Sequence, residues 1–430
     1  MGKQLSEEVK VASGVPQGSV LRPLLFIIFM IDITDGVEKL LLGSFADDTK
    51  GWQKTSVPTQ LIQRELGRMY RWAEKSNATY NGKKFVHTTF GDWEDITPFI
   101  QPDGGIIETK VHVKDLGVYM SADMSFHYHI NHVVKGAQIM SAWVLRTFMT
   151  RETGPMLTLL KSLIRNTAEY ASVLWSPTDI TNIRNIENIQ RRFTSKFSIF
   201  RKYNEESGYY ECFVDYWQRL KQLKIYSLER RRERYMIMYM HQIHSGLVPD
   251  LGFLSEHNKR TATKYFAKCN RSAAVDVQSI RYSSFFTQGP MLYNLLPTDL
   301  RQPSQATTTE EKKKLKEWFK RRLDKWLELI PDEPPTTENK AEDRAAASNS
   351  ILRQMENHGR EVNRNWTAVK KALDREDAAN AEKAKGTATD NPTQPTTTTT
   401  RKRKSKFEKQ AEESAKHMRN NRSDKWDGWL

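Results

Sequence analysis

Two adjacent acids, Asp47 and Asp48, follow an apolar run in the stretch LLLGSFADDTKGW. Adjacent carboxylates repel each other, and their oxygens are the ligands that a hard divalent cation prefers. The apolar run predicts a buried strand, and TKGW after the acids predicts a turn into a second, shorter segment. A simple turn or a helix cap is the alternative, since Asp is common in both. The position after a strand favours acids held at a hairpin tip, where a bound cation would relieve their repulsion.

A polar turn, Pro16-Gln17-Gly18, precedes the acid pair by one hydrophobic segment. The flanking glycines Gly14 and Gly18 carry no Cβ and let the backbone approach a ligand closely. Gln17 offers both a hydrogen-bond donor and an acceptor at that point. Such a turn is weak evidence of function when it stands alone. Its spacing from FADD predicts that the two segments serve one site.

Together, SGVPQGSVLRPLLF and GSFADDTK resemble the palm of reverse transcriptases encoded by non-LTR (LINE-type) retrotransposons of the jockey and chicken-repeat group. The resemblance continues through several further segments: YNGKKF, VKDLGVYMSADMSFHYHI, AEYASVLWSP, IENIQRRFT, YWQRLKQLKIYSLERRRERY and GPMLYNLLPTDLR. It runs from about residue 3 to about residue 335.

The resemblance implies an RNA-directed DNA polymerase that transfers nucleotides with two Mg²⁺ ions. Asp47 and Asp48 are implied to be the catalytic metal ligands, and Lys84 of YNGKKF is implied to lie near the triphosphate. The residues implied to contact template and incoming nucleotide are Pro16, Gln17, Gly18, Phe45 and Ala46. The implied partners are an RNA template, a DNA primer and dNTPs.

The sequence departs from the family in one catalytic position. Family members carry another catalytic Asp well upstream of the Pro-Gln-Gly turn, and the sequence from Met1 already resembles the hairpin just before that turn. Asp32 and Asp35 lie where the family also has an Asp, so neither replaces the upstream one. Arg22 stands where the family usually has Gly. We therefore expect this chain alone to be incomplete and inactive as a polymerase.

Composition limits the class of protein. The 430 residues carry a formal net charge of +15, which suits a protein that neutralises phosphates, although solubility explains it as well. The two cysteines form no CxxC motif, which argues against a zinc site or a disulfide framework. The longest apolar run, PLLFIIFMI, is too short to span a bilayer, and there is no signal-peptide pattern. We predict an intracellular protein, nuclear or cytoplasmic or both, with no membrane partner.

Periodicity and the resemblance together predict an α+β fold in four parts. Residues 1–125 are a partial palm with a short antiparallel sheet and helices, 126–245 a thumb-like helical region, and 246–335 a helical and loop region. Residues 336–430 are a disordered basic tail, because their polar composition cannot offset chain entropy. Helices are predicted over TQLIQRELGRMYRWAEKS and over TTEEKKKLKEWFKRRLDKWLEL, the second capped by Thr309.

A second function class remains open at this point. The chain could be a non-enzymatic nucleic-acid-binding or interaction protein derived from the helical C-terminal half. Its support is a set of arginines interleaved with aromatic residues: Arg191, Arg192, Arg230, Arg231 and Arg232. The solvated face of an amphipathic helix explains the same arginines, so both interpretations stand.

Overall fold

A computed structural model describes the chain over residues 18–35, 37–54, 56–91, 97–249, 284–301, 308–333 and 350–386. The polypeptide divides into two compact units, Met1–Thr367 and Ala368–Leu430. Helices and short strands alternate in the first unit, in agreement with the predicted α+β class. The predicted domain boundaries stay predictions.

Strands in the described residues pair only locally, in four separate two-stranded sheets. The pairs are β1 (Leu41–Phe45) with β2 (Asp48–Trp52), β3 (Val86–His87) with β4 (Glu108–Thr109), β5 (His112–Asp115) with β6 (Val118–Ser121), and β7 (Arg201–Asn204) with β8 (Tyr209–Cys212). Only β3–β4 is parallel. The sequence predicted one short antiparallel sheet. Strands of two to five residues close on their nearest neighbour, and β1–β2 offers free edges on both sides within the described residues.

Two helices accompany the first hairpins. Helix α1 (Arg22–Met30) is apolar, yet none of its side chains is buried. Helix α2 (Thr59–Lys75) matches the predicted helix and buries Met69 and Ala73. The rings of Phe29 in α1 and Trp72 in α2 contact each other, with centroids 5.7 Å apart.

The central part of the chain is helical. Its helices are α3 (His127–Thr147), α4 (Thr153–Leu159), α5 (Arg165–Glu169), α6 (Ser172–Trp175), α7 (Ile180–Thr194), α8 (Tyr216–Leu223) and α9 (Leu228–His244). A π-helical turn, Leu160–Ile164, joins α4 to α5. One apolar core runs through these elements, with buried residues that include Ile130, Ala137, Val144, Met156, Leu160, Ile164, Trp175, Ile186, Phe193, Phe197 and Phe200. The elements from β6 to the start of α9 therefore share one apolar core.

Four further helices follow: α10 (Phe285–Asn294), α11 (Thr298–Arg301), α12 (Thr309–Leu327) and α13 (Ile351–Gly386). Helix α12 confirms the predicted helix, but its cap is Thr308 and not Thr309. Thr308 has the extended backbone that an N-cap requires, and it exchanges hydrogen bonds of 3.2 and 3.0 Å with Glu311. No helix within the described ranges is long and apolar enough to cross a membrane.

Helix α13 overturns the predicted disorder for part of the tail. That prediction rested on the polar average of residues 336–430. Ile351, Val362 and Trp366 nevertheless lie on one helical face and are buried. This local apolar face supplies packing contacts that the average composition of the segment does not reveal. Of the rest of the tail, residues 336–349 and 387–430 lie outside the described residues.

Candidate active site

Asp47 and Asp48 lie at the tip of the β1–β2 hairpin. Phe45 pairs with Asp48 in the last register position, so the turn consists of Ala46 and Asp47 alone. Ala46 has φ of +52°, the left-handed conformation that a tight two-residue hairpin turn requires. The sequence interpretation put the turn after the acid pair. That interpretation is corrected: the turn lies before Asp48, because Asp48 already belongs to β2 and TKGW continues that strand.

Both carboxylates face solvent, and the strand before them is less buried than predicted. Leu41, Leu42 and Gly43 are half-buried, whereas Ser44 and Phe45 are exposed. A buried strand was expected from the apolar run, but β1 has only one neighbouring strand and no covering layer at its tip among the described residues. The acids are therefore presented outward at the end of a short ribbon.

Contacts away from the tip hold this ribbon in place. Gly43 lies against the ring of Trp52, and a Cβ at Gly43 would stand 2.9 Å from that ring. Lys50 of β2 forms an ion pair with Asp115 of β5. Sequence reasoning missed Lys50 and Asp115 as positioning residues. Both belong to quoted segments, but 65 residues separate them and nothing local signals the pairing.

Of the other predicted site residues, Phe45 and Ala46 belong to the same hairpin tip as the acids, whereas no described contact joins Lys84 or Gly18 to them. Lys84 is exposed on a 3₁₀ turn, Gly82–Lys84, and among the described residues no hydrogen bond or ion pair joins it to Asp47 or Asp48. Gly18 is exposed with φ of +83°, and a Cβ there would meet no neighbour. Pro16 and Gln17 lie outside the described residues.

The acid pair fits a Mg²⁺ ion only in company with other ligands. Within the described ranges there is no group of three or more His, Cys, Asp or Glu side chains able to hold a metal ion. Mg²⁺ commonly binds one or two carboxylates and completes its octahedron with water and substrate phosphates. The exposed, adjacent carboxylates of Asp47 and Asp48 suit that arrangement and do not form an all-protein cage.

Known proteins similar to this chain are polymerases of mobile elements. It is 24% identical over 201 residues to the RNA-directed DNA polymerase from mobile element jockey of Drosophila melanogaster and 25% identical over 201 residues to that of Drosophila funebris. It is 25% identical over 198 residues to the probable RNA-directed DNA polymerase from transposon X-element of Drosophila melanogaster. The chain is thus similar, over part of its length, to RNA-directed DNA polymerases of mobile elements.

The similarity is partial, although it confirms the resemblance seen in the sequence. Each of these three matches covers 44% of this chain and 22% of the relative, so the chain spans about a fifth of their length. No family model and no solved structure matches the chain.

The arginines of α9 are structural. Arg230 is fully buried and donates to the backbone oxygens of Ile330 (3.2 Å) and Pro331 (2.7 Å). Arg231 forms a two-point ion pair with Glu169, in which one of the bonds is 2.8 Å long. Arg232 is buried as well, and burial lowers the pKa of its guanidinium. Interpretation of these three as nucleic-acid-binding residues is corrected, because α9 is enclosed by other elements and presents no basic face there.

Arg191 and Arg192 differ from the α9 arginines because both are exposed at the end of α7. The guanidinium of Arg191 lies 5.0 Å from the centre of the Tyr216 ring. Neither arginine forms an ion pair with any residue in the described part of the chain. Of the five arginines singled out from the sequence, these two remain available to a partner.

Proposed function

We propose that this chain is part of an RNA-directed DNA polymerase of the non-LTR retrotransposon type, with Asp47 and Asp48 as its metal-holding residues. The observation that supports this most directly is the position of two exposed, adjacent carboxylates at the tip of a tight hairpin. A second support is the similarity to proteins named as RNA-directed DNA polymerases. The proposed substrates are dNTPs, an RNA template and a DNA primer.

The residues of this chain would divide the work of nucleotidyl transfer. Asp47 and Asp48 would hold Mg²⁺, which supplies stabilisation of the charge that develops on the phosphate oxygens. Because the turn points its acids into solvent, nucleotide phosphates can complete the ligand set. Lys84 would neutralise the triphosphate, and the backbone at Gly18 would approach the template or nucleotide closely. Lys50 and Asp115 would fix the direction of the hairpin.

We expect the 430-residue chain alone not to extend a primer. Two-metal transfer clamps the attacking and leaving oxygens between two ions about 3.5–4 Å apart. The acid pair contributes two neighbouring carboxylates from a single hairpin tip, and the family resemblance implies a further Asp from another strand. Two carboxylates from one hairpin tip should bind the first ion weakly and leave the second ion without its own anchor.

Metal-directed cleavage tests the proposed site directly. Fe²⁺ replaces Mg²⁺ in the presence of primer, template and dNTP; added hydrogen peroxide is then reduced at the bound ion to hydroxide and hydroxyl radical, and ascorbate reduces the resulting Fe³⁺ back to Fe²⁺. We expect backbone cleavage near the hairpin in the wild type, loss of cleavage in the double variant Asp47→Asn/Asp48→Asn, and retention in Asp35→Asn, an exposed acid before β1. Uniform cleavage, or cleavage that survives the double variant, would contradict the proposal.

Primer extension on an RNA template separates the metal site from activity. The expected result is no incorporation by the wild-type chain with Mg²⁺. Incorporation that disappears in Asp47→Asn would keep the proposed polymerase site and overturn its incompleteness.

A second candidate function is nucleic-acid binding without catalysis, derived from the helical half of the chain. It is favoured by the exposure of Arg191 and Arg192 at the end of α7. Binding through phosphate contacts makes the logarithm of the association constant fall linearly with the logarithm of salt concentration. A binding constant that does not change between low and high salt would remove this candidate.

A further inference from the structure

The β7–β8 hairpin carries two tyrosines that protein contacts leave largely uncovered. Tyr203 and Tyr210 are register partners, and their rings meet edge to face with centroids 5.4 Å apart. Tyr203 is 56% exposed and Tyr210 59% exposed. Aromatic side chains carry large contact areas, so a solvent-facing pair on a strand indicates a partner that covers it.

The two faces of this hairpin differ in charge. Side chains of successive register pairs point to opposite sides of a sheet, so Arg201, Tyr203 and Tyr210 share one face with Cys212. That face carries no acid, and the Arg201 guanidinium lies 5.8 Å from the centre of the Tyr210 ring. The opposite face holds Lys202, Tyr209 and Glu211; Glu211 is the register partner of Lys202 and accepts a hydrogen bond from Asn204 at 3.0 Å. Both faces therefore carry a cation and tyrosine, and only the first face does so without a carboxylate.

The basic end of α7 lies beside the base of this hairpin. One guanidinium, that of Arg219, donates to the backbone oxygen of Arg191 at 3.0 Å and to the Sγ of Cys212 at 2.8 Å. The end of α7 and the end of β8 therefore flank a single buried side chain. The backbone at Arg191 is thus brought close to the Cys212 end of the tyrosine face, and the exposed side chains of Arg191 and Arg192 extend from that part of α7.

We infer that these five residues form a binding surface for single-stranded nucleic acid, the α7–hairpin platform: Arg191, Arg192, Arg201, Tyr203 and Tyr210. Bases would stack on the two tyrosines, and the three arginines would contact phosphates. A single strand is the occupant that this chemistry favours, because its base faces are free to stack whereas a duplex buries them. This inference rests on the second proposed function and names its surface and its ligand class.

Fluorescence anisotropy with the full-length chain tests the platform. The probes are labelled, unstructured 12-mers of single-stranded RNA and single-stranded DNA, and a duplex of the same length. The double variant Tyr203→Ala/Tyr210→Ala should bind both single strands at least about tenfold more weakly, because each base stack contributes that order of affinity. Its salt slope should not change, since no phosphate contact is removed.

Two further variants make the test selective. Tyr209→Ala removes a tyrosine that is 74% exposed on the opposite face, and it should bind like the wild type. Arg191→Gln/Arg192→Gln should reduce the salt slope on single strands by about 1.4, or about 0.7 for each lost phosphate contact. The RNA and DNA probes then show which strand the platform prefers.

The outcomes separate the platform from the function on which it rests. Salt-dependent binding that is insensitive to Tyr203→Ala/Tyr210→Ala would overturn the platform and keep nucleic-acid binding. An equal loss in Tyr209→Ala, or tighter binding to duplex than to single strand, would also overturn it. A wild-type chain that binds none of the probes would overturn both proposals.

Discussion

His129 is a buried histidine that the fold keeps neutral. Its Nδ1 accepts a hydrogen bond from the backbone N–H of Tyr119 at 3.2 Å, and its ring meets the Trp175 ring edge to face at 5.1 Å. The side chain is only 2% exposed. Burial lowers the pKa of His129 from 6.5 to about 4, and the neighbouring His132 adds to the shift. A proton on this ring would be stranded in the apolar core and would remove an acceptor that Tyr119 needs.

The lowered pKa predicts a specific pH dependence of stability. Between pH 6.5 and about pH 4, His129 is protonated in the unfolded chain but neutral in the folded chain. Its contribution to stability is therefore complete above pH 6.5 and declines as the pH falls. Relative to His129→Phe, the unfolding free energy of the wild type should fall by about 1.4 kcal/mol for each unit by which the pH drops in that window. Urea unfolding from pH 7 to pH 4.5 measures it, and parallel curves for the two proteins would contradict it.

At the scale of elements, features set by nearby residues were predictable and features set by distant ones were not. Helices α2 and α12 follow from their own apolar spacing, and the hairpin at Asp47 and Asp48 follows from its strand and turn pattern. The prediction that β1 is buried was wrong, because burial depends on which other elements cover the strand. Arginines of α9 looked the same in sequence as Arg191 and Arg192, and only their distant partners distinguish them. The Lys50–Asp115 ion pair could not be predicted either, because its two residues are far apart in the sequence.

The capping of α12 gives a prediction with an internal control. The Thr308 hydroxyl accepts a hydrogen bond from the backbone N–H of Glu311, and the backbone N–H of Thr308 donates to the Glu311 carboxylate. Thr308→Ala should therefore lower the unfolding free energy by about 1 kcal/mol. Thr309→Ala, one residue later and inside the helix, should change it by less than about 0.5 kcal/mol. Urea denaturation of both variants measures the difference. Equal losses, or a larger loss in Thr309→Ala, would restore the cap predicted from sequence.

At the scale of the whole chain, the start of α13 packs onto helices that lie much earlier in the sequence of the first unit. The backbone N–H of Ile351 donates to the Glu233 carboxylate on α9, at 3.0 and 3.1 Å from its two oxygens. Further along α13, the Trp366 indole donates to Asp299 of α11 at 3.3 Å. Burial, with the charge of Glu229 adding to it, raises the pKa of Glu233 to about 8. The start of α13 thus supplies a hydrogen bond to a carboxyl group inside the protein.

Removal of the apolar side chain at this junction tests whether α13 is part of the folded unit. Ile351 is 0% exposed, so Ile351→Ala should lower the unfolding free energy by about 2–4 kcal/mol through lost burial and the cavity left behind. The matched control is Ile27→Ala on α1, where the same atoms are removed from a side chain that is 62% exposed; it should cost less than about 0.5 kcal/mol. Urea denaturation followed by far-UV circular dichroism measures both variants. A tail that is disordered from residue 350 onward would make Ile351→Ala as harmless as Ile27→Ala, and the amides of residues 352–367 would then exchange with solvent at the rate of an unfolded chain.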